Sequence, residues 1–343
     1  MQNTLVAVDL AKQIFEIAVS HEAGKVAKRL RPSRAKFLNF FAQCPQAVVV
    51  MEACGTAQYW AREIEKLGHR VVLLPAQHVR PYVRDKNDRA DAAGLLEAYR
   101  NQAIRPVPLK TSQQQILGSV HRLRTAWLTT RTARVNALRG LLREQGVFIP
   151  EGVRHVVPQV WALLEDADSP IADALRPLVA EVVSEIRDLE RRVEACERQL
   201  QALAREMPVV ERLMTIPGLG LLTATALVGF VGDVRRFPSA RHFASYIGLV
   251  PRERSSGLKR RLGRISKRGD VYLRTLLIHG ARSALRAAHT KQQPDRLRAW
   301  AVRLHQKHGY NVAAVALANK LARIVWAVWK TDEGTFVSIP AAA

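Results

Sequence analysis

TLVAVDLAK (4–12) and AVVVMEACG (47–55) decide the reading of this chain. In each, a run of Val and Ala leads to an acid, Asp9 in the first and Glu52 in the second. β-Branched residues favour strands and carboxylates do not, so an acid at the end of such a run marks the rim of a sheet. FEIAVSH (15–21), 25–31 and HRVVLLP (69–75) read as further short strands, and helical spacing fills 34–44 and 57–67. Three strands before the first helix, then alternation, predict an α/β domain whose mixed sheet starts as an antiparallel meander.

Residues 88–101 are again helical, and Asp88 and Asp91, three apart, share a face. With Asp9 and Glu52 they form a candidate metal site. Carboxylate oxygen suits hard cations such as Mg²⁺ or Mn²⁺, and two such ions stabilise both the attacking and the leaving oxygen in phosphodiester cleavage. The plainer alternative makes Asp88 a helix N-cap and Asp91 a partner of the helix dipole. Asp85 competes, but only Asp88 and Asp91 pair at helical spacing with the apolar stripe that follows. The 343 residues hold 53 Lys and Arg against 30 Asp and Glu, a formal charge of +23. That balance points to a nucleic-acid partner or an anionic membrane surface. An acidic cluster in so basic a chain fits a metal site acting on a polyanion.

Cys44, Cys54 and Cys196 form no CxxC pair, so they are expected as ordinary reduced residues. The start MQNTLVAVDLAK has no cationic segment ahead of its apolar run, and a cytoplasmic protein with no membrane partner is expected. Leu213 to Gly232 carries no charge, but Pro217, Gly218 and Gly220 interrupt it, which predicts a turn and then a buried helix.

Residues 112–145 read as a long helix or a helical pair, with Arg122, Arg124, Arg131, Arg134 and Arg139 as candidate nucleic-acid contacts or simply a solvated face. Val182, Ile186, Leu189, Val193, Cys196, Leu200 and Leu203 then step at heptad spacing. We read this seam as a coiled coil for self-association, with an internal helical hairpin as the alternative. After Pro208 the chain becomes a mostly helical domain, giving expected divisions of 1–111, 112–207 and 208–343. LMTIPGLGLLTATALVG (213–229) has the turn of a helix-hairpin-helix module, in which Gly218 and Gly220 approach a phosphate; a tight turn between core helices is the alternative. Residues 248–274 hold nine Lys or Arg against two acids. Lys259, Arg260, Arg261, Arg264, Lys267 and Arg268 are the phosphate candidates there. Ser255 and Ser256, followed by Gly257, are that segment's adjacent hydroxyls; either a nucleophile among arginines or a turn-forming pair fits them.

Six motifs in order, VAVDLAK (6–12), VVVMEACG (48–55), KNDRADA (86–92), IPGLGLLTA (216–224), ASYIGLVPRERSSG (244–257) and GRISKRGDVYLRTLL (263–277), resemble the DEDD transposases of the insertion sequence 110 family, in the layout of its 1111 branch. These are bridge-RNA-guided recombinases. The resemblance implies a RuvC-like, RNase H-type first domain, a coiled-coil connector and a C-terminal transposase domain with a catalytic serine. It implies that Asp9, Glu52, Asp88 and Asp91 are the metal-binding tetrad and that Ser256 is the nucleophile. It also implies a homo-oligomer, a dimer of dimers, acting on target and donor DNA with a structured non-coding guide RNA. Three rivals compete: a RuvC-like metal-dependent junction nuclease, an actin-like ATPase and a non-catalytic RNA-binding scaffold. The first leaves residues 209–330 without a task. The second lacks a later Gly-rich phosphate loop, and metal binding would argue against the third.

Overall fold

Strands β1 (Leu5–Asp9), β2 (Glu16–Ser20), β3 (Lys28–Leu30), β4 (Val48–Glu52) and β5 (Arg70–Leu74) lie side by side in the order β3-β2-β1-β4-β5. The β1–β2 and β2–β3 pairs are antiparallel, whereas β1–β4 and β4–β5 are parallel, so the predicted meander and mixed sheet are present. This is a computed structural model, and it describes residues 4–22, 24–83, 88–257, 259–290 and 295–339, with the side chains of Asp88 and Arg89 outside that set. Asp85 also lies outside the described residues.

Side chains alternate across a strand, and the two faces of this sheet differ. Val6, Val8, Ile17, Val49 and Met51 face α1 (Phe37–Gln43) and α2 (Ala57–Lys66), where Phe15, Phe37 and Trp60 stack edge to face. Each such ring pair adds about 0.5–1.5 kcal/mol beyond the area it buries. The opposite face carries Ala7, Ala18 and Val50, and small residues there let α4 (Asp88–Arg100) lie close. Ala92, Leu95 and Leu96 of α4 fill that side, together with Val79 of the short α3 (Ala76–Val79). α4 thus follows the expected stripe, and its first turn meets the ends of the strands.

The chain divides into two compact units, residues 1–111 and 112–343. In the second, α5 (Ser112–Glu144) is one unbroken helix, followed by α6 (Val156–Glu165) and α7 (Arg176–Arg205). Ion pairs Arg124–Glu197, Arg131–Glu190 and Arg134–Glu185 descend one helix as they climb the other, so α5 and α7 are antiparallel. This corrects the expected self-association seam. Val183, Ile186, Leu189, Val193, Cys196 and Leu200 are buried within the single chain, with Val135, Leu138 and Leu142 of α5 in the core of the first two. Val182 and Leu203 stand at the edges of the seam, where Val183 and Ala204 are buried instead. The physical reason is proximity: a partner helix on the same chain competes at high effective concentration for the apolar face.

The remaining elements are α8 (Pro208–Met214), α9 (Leu221–Val231), α10 (Ala240–Ile247), the hairpin β6 (Pro251–Glu253) and β7 (Leu262–Ile265), α11 (Val271–Thr290), α12 (Arg296–His308) and α13 (Tyr310–Lys330). Leu117 of α5 and Leu200 and Ala204 of α7 lie in the same core as α8 to α13, so residues 112–207 are not a connector standing apart. The uncharged stretch is the predicted turn and buried helix, α9. α13 is long and apolar enough to cross a membrane, yet Ala313, Leu317, Leu321 and Val325 are fully buried in this core. His121 of α5, also fully buried, bridges Thr225 of α9 and Tyr272 of α11 at 2.9 Å each.

Candidate acidic site and serine hairpin

Because Val6 and Val8 face α1 and α2 while Ala7 faces α4, Asp9 emerges on the α4 side of β1. Val49, Val50 and Met51 set the same alternation on β4, which puts Glu52 on the α4 side as well. Both acids close neighbouring parallel strands, whose register runs Val8 to Met51 and so brings Asp9 and Glu52 level. Asp91 sits in the first turn of α4, directly before Ala92 of its sheet-facing stripe. Burial, and after it the negative charge of Asp91, push the Glu52 carboxyl above the usual carboxylate range. The ends of parallel strands and a helix N-terminus therefore bring Asp9, Glu52 and Asp91 toward one rim. Asp88 begins the same helix turn, and its side chain lies outside the described residues.

The donor set is all oxygen and net negative, which fits a hard divalent cation, and the Glu52–Asp91 repulsion is a cost that such a cation would remove. Among the described residues, no group of three or more His, Cys, Asp or Glu is gathered closely enough to hold a metal ion. One acid escaped the sequence reading. Glu16 of β2 is 97% buried on the α4 face and stands level with Asp9 across the β1–β2 pair. Arg31 Nε lies 3.2 Å from one of its oxygens, yet neither oxygen has an aligned hydrogen bond among the described residues. Its signal was the alternation in FEIAVS, where Glu16, Ala18 and Ser20 share the side opposite Phe15, Ile17 and Val19.

The late basic segment is a hairpin rather than a loop. Its base is fixed: Ser266 N–H donates to the Val250 carbonyl at 2.8 Å, and the buried Arg274 donates to the Ile247 and Arg268 carbonyls at 3.1 Å. Gly248 and Gly269 allow the strand to pass, since a Cβ on either would stand about 2 Å from a carbonyl oxygen of Arg268 or Tyr246. At the tip, Ser256 and Lys259 pair across a tight turn in which Gly257 has φ +54°. The two serines differ. The Ser255 hydroxyl donates to Glu253 at 2.7 Å and accepts from the Arg261 amide at 3.2 Å. The Ser256 hydroxyl is exposed and makes no hydrogen bond among the described residues. Arg260 reaches Glu253 at 3.5 Å. Lys259, Arg261, Arg264, Lys267 and Arg268 have no ion-pair partner among the described residues, and Lys267 holds φ +54° without being glycine.

The other nucleic-acid candidates fare differently. Arg124, Arg131 and Arg134 face glutamates of α7, and Arg139 donates to the Pro150 and Gly152 carbonyls. Arg122 lies 5.7 Å from the Phe230 ring. Gly218, at φ +86°, touches Gly280 of α11 backbone to backbone, where a Cβ would stand 2.3 Å from the Gly280 carbonyl oxygen. That contact explains the glycine by packing. Gly220 caps α9 with open space around it.

A transposase model of the DEDD IS110 type matches residues 6–146, and a model described as Transposase IS116/IS110/IS902 family matches residues 210–296. A "Probable family 20 transposase" of Pseudomonas aeruginosa is 43% identical over 333 residues, covering 96% of this chain and 97% of the relative. The transposase of insertion sequence element IS1111A from Coxiella burnetii is 38% identical over 96% of this chain and 90% of its own length. That of IS1328 from Yersinia enterocolitica is 36% identical over 98% of each chain. The chain belongs to the IS110 family of insertion-sequence transposases. Its likeness to the IS1111A and IS1328 proteins agrees with the 1111 branch of that family.

Proposed function

We propose that this transposase is an RNA-guided DNA recombinase that cleaves and rejoins target and donor DNA through Ser256 and an acidic site of Asp9, Glu52, Asp88 and Asp91. The observation that carries the reading is the contrast at the hairpin tip: Ser255 is engaged within the turn, while the exposed Ser256 hydroxyl makes no hydrogen bond among the described residues, in a hairpin whose Lys259, Arg261 and Arg264 have no ion-pair partner among them. In this reading the Ser256 oxygen attacks the scissile phosphorus, a phosphoserine bond forms, and the bond to one strand oxygen breaks. The proton lost by Ser256 is balanced by the one the leaving oxygen gains. Lys259, Arg261 and Arg264 neutralise the phosphate as charge develops on it. Asp9, Glu52, Asp88 and Asp91 hold Mg²⁺ or Mn²⁺, which when bound would polarise a phosphoryl oxygen and stabilise the departing one.

Sequence choice in this reading lies with a structured guide RNA that pairs with both DNA partners, while the protein reads backbone and shape. The RuvC-like domain of one subunit and the serine of another act on one phosphodiester within a dimer of dimers in the cytoplasm. With the α7 seam filled inside the chain, other surfaces must join the subunits. The test supplies guide RNA and both DNA partners. Wild type and Ser255→Ala should yield protein covalently attached to cleaved DNA, and Ser256→Ala should yield none while still binding RNA. An adduct that persists in Ser256→Ala overturns the assignment; hydrolysis without strand exchange in the wild type points instead to a junction nuclease.

A further inference from the structure

On the flank of the serine hairpin a cavity of about 740 Å³ opens between β7 and helices α12 and α13. Its volume is in the usual range for a small-ligand site. Ile265, Val312 and Val315 give it an apolar lining, with Trp300 at one side. Arg264, Lys320 and Arg323 stand around it, no acid lines it, and none of the three cations has an ion-pair partner among the described residues. Lys320 Nζ lies 4.3 Å from the centre of the Trp300 ring. Burial, and then the nearby charge of Arg323, hold the Lys320 ammonium below its usual range. Three cations gathered without a counter-charge beside an aromatic ring and an apolar wall call for a ligand that is anionic at one end and flat and apolar at the other.

We propose that this groove binds one unpaired nucleotide of a single-stranded nucleic acid, its base taking the face of Trp300 that the Lys320 ammonium covers in the free protein, beside the apolar wall, and its phosphate drawing Lys320 off the ring to join Arg264 and Arg323. Base–aromatic stacking with cationic tracking of the backbone is how proteins hold single strands whatever their sequence. A duplex keeps its bases stacked and paired, so it offers the phosphate without the base. The groove begins at Gly263 of β7, four residues along the hairpin from the bridge at Lys259, a span of roughly 13 Å when extended. A strand joined to Ser256 would pass this opening with its next unpaired bases; that placement rests on the nucleophile reading, whereas binding needs the groove alone.

Full-length protein is titrated with labelled oligonucleotides of one length: deoxythymidine, ribouridine, an abasic strand and blunt duplex. The deoxythymidine or ribouridine strand should bind about tenfold more tightly than the abasic strand, as one base–aromatic stack would give. The tighter of the two names the sugar. Trp300→Leu should erase the preference for a base with binding to the abasic strand retained. Lys320→Ala with Arg323→Ala should weaken every single strand and flatten the salt dependence, while thermal melting stays unchanged. Ser256→Ala should alter none of these affinities, which separates failure of the groove from failure of the nucleophile. Equal binding of the abasic strand by the wild type, or a base preference that survives Trp300→Leu in a folded variant, overturns the proposal. So does a change of oligomer size in Val312→Asp with the base preference intact, because the groove would then be a contact between copies.

Discussion

At the residue scale, Glu52 and His121 are displaced from ordinary ionisation in different units, and the consequences for stability run in opposite directions. Burial and Asp91 raise the Glu52 carboxyl, so the folded state holds its proton more tightly than the unfolded chain does. That stability is fully present below the ordinary carboxylate range and is lost as pH climbs through the raised value. Glu52→Gln should therefore match the wild type in urea midpoint near pH 3 and exceed it near pH 7, in metal-free buffer. A wild type equal to the variant at both pH values would remove the crowding. His121 runs the other way: burial, then Arg124, lower it to about 4 from an ordinary 6.5. The fold then binds fewer protons than the unfolded chain, so stability is complete above pH 6.5 and falls by about 3 kcal/mol as pH drops to 4. His121→Gln should remove that slope, read as melting temperature against pH.

The same scale shows which site residues the sequence could reveal. Asp9 and Glu52 stand out because an acid interrupts a run of Val and Ala, and their place at adjacent strand ends followed from that. Glu16 did not stand out, because a strand reading F-E-I-A-V-S looks half exposed until α4 is known to cover its second face. Residue chemistry leaves Ser255 and Ser256 open and the family resemblance points to Ser256; what distinguishes them physically, the hydrogen bonds of Ser255 to Glu253 and Arg261, is not disclosed by adjacent letters in a sequence.

At the scale of elements, periodicity told what each segment is but not what it meets. The heptad spacing of α7 holds from Ile186 to Leu200, shifted by one residue at either end, and its partner is α5 of the same chain. Pairing of Arg124, Arg131 and Arg134 with glutamates could be foreseen only with the antiparallel register in hand. Leu189→Asp should accordingly unfold the helical unit, at a cost of about 3 kcal/mol or more, because a charge enters a buried apolar layer. Circular dichroism in urea would record the loss; a folded variant with only a smaller oligomer would restore the seam to subunit pairing. Gly280→Ala should cost about 1–3 kcal/mol, since its Cβ would stand 2.1 Å from the Gly218 carbonyl oxygen and α11 would have to shift.

For the whole molecule, the division at residues 111 and 112 separates the acidic rim from the serine hairpin, and each has its own core. Calorimetry should resolve the consequence. Glu52→Gln should move only the transition of residues 1–111, and His121→Gln only that of residues 112–343. A single transition shifted by both variants would mean that the units melt as one.

The hairpin holds one more consequence. Its described residues from Pro251 to Arg264 are exposed, while the anchors at its base, Ser266 and Arg274, are buried. The segment between is thus almost absent from the free energy of folding. Its letters could be shuffled in a combinatorial library, around a fixed Ser256 and Gly257, with most members still expressing as intact protein. Selection on such a library would then sort variants by chemistry alone, making this tip the natural place from which to breed new behaviour into the molecule.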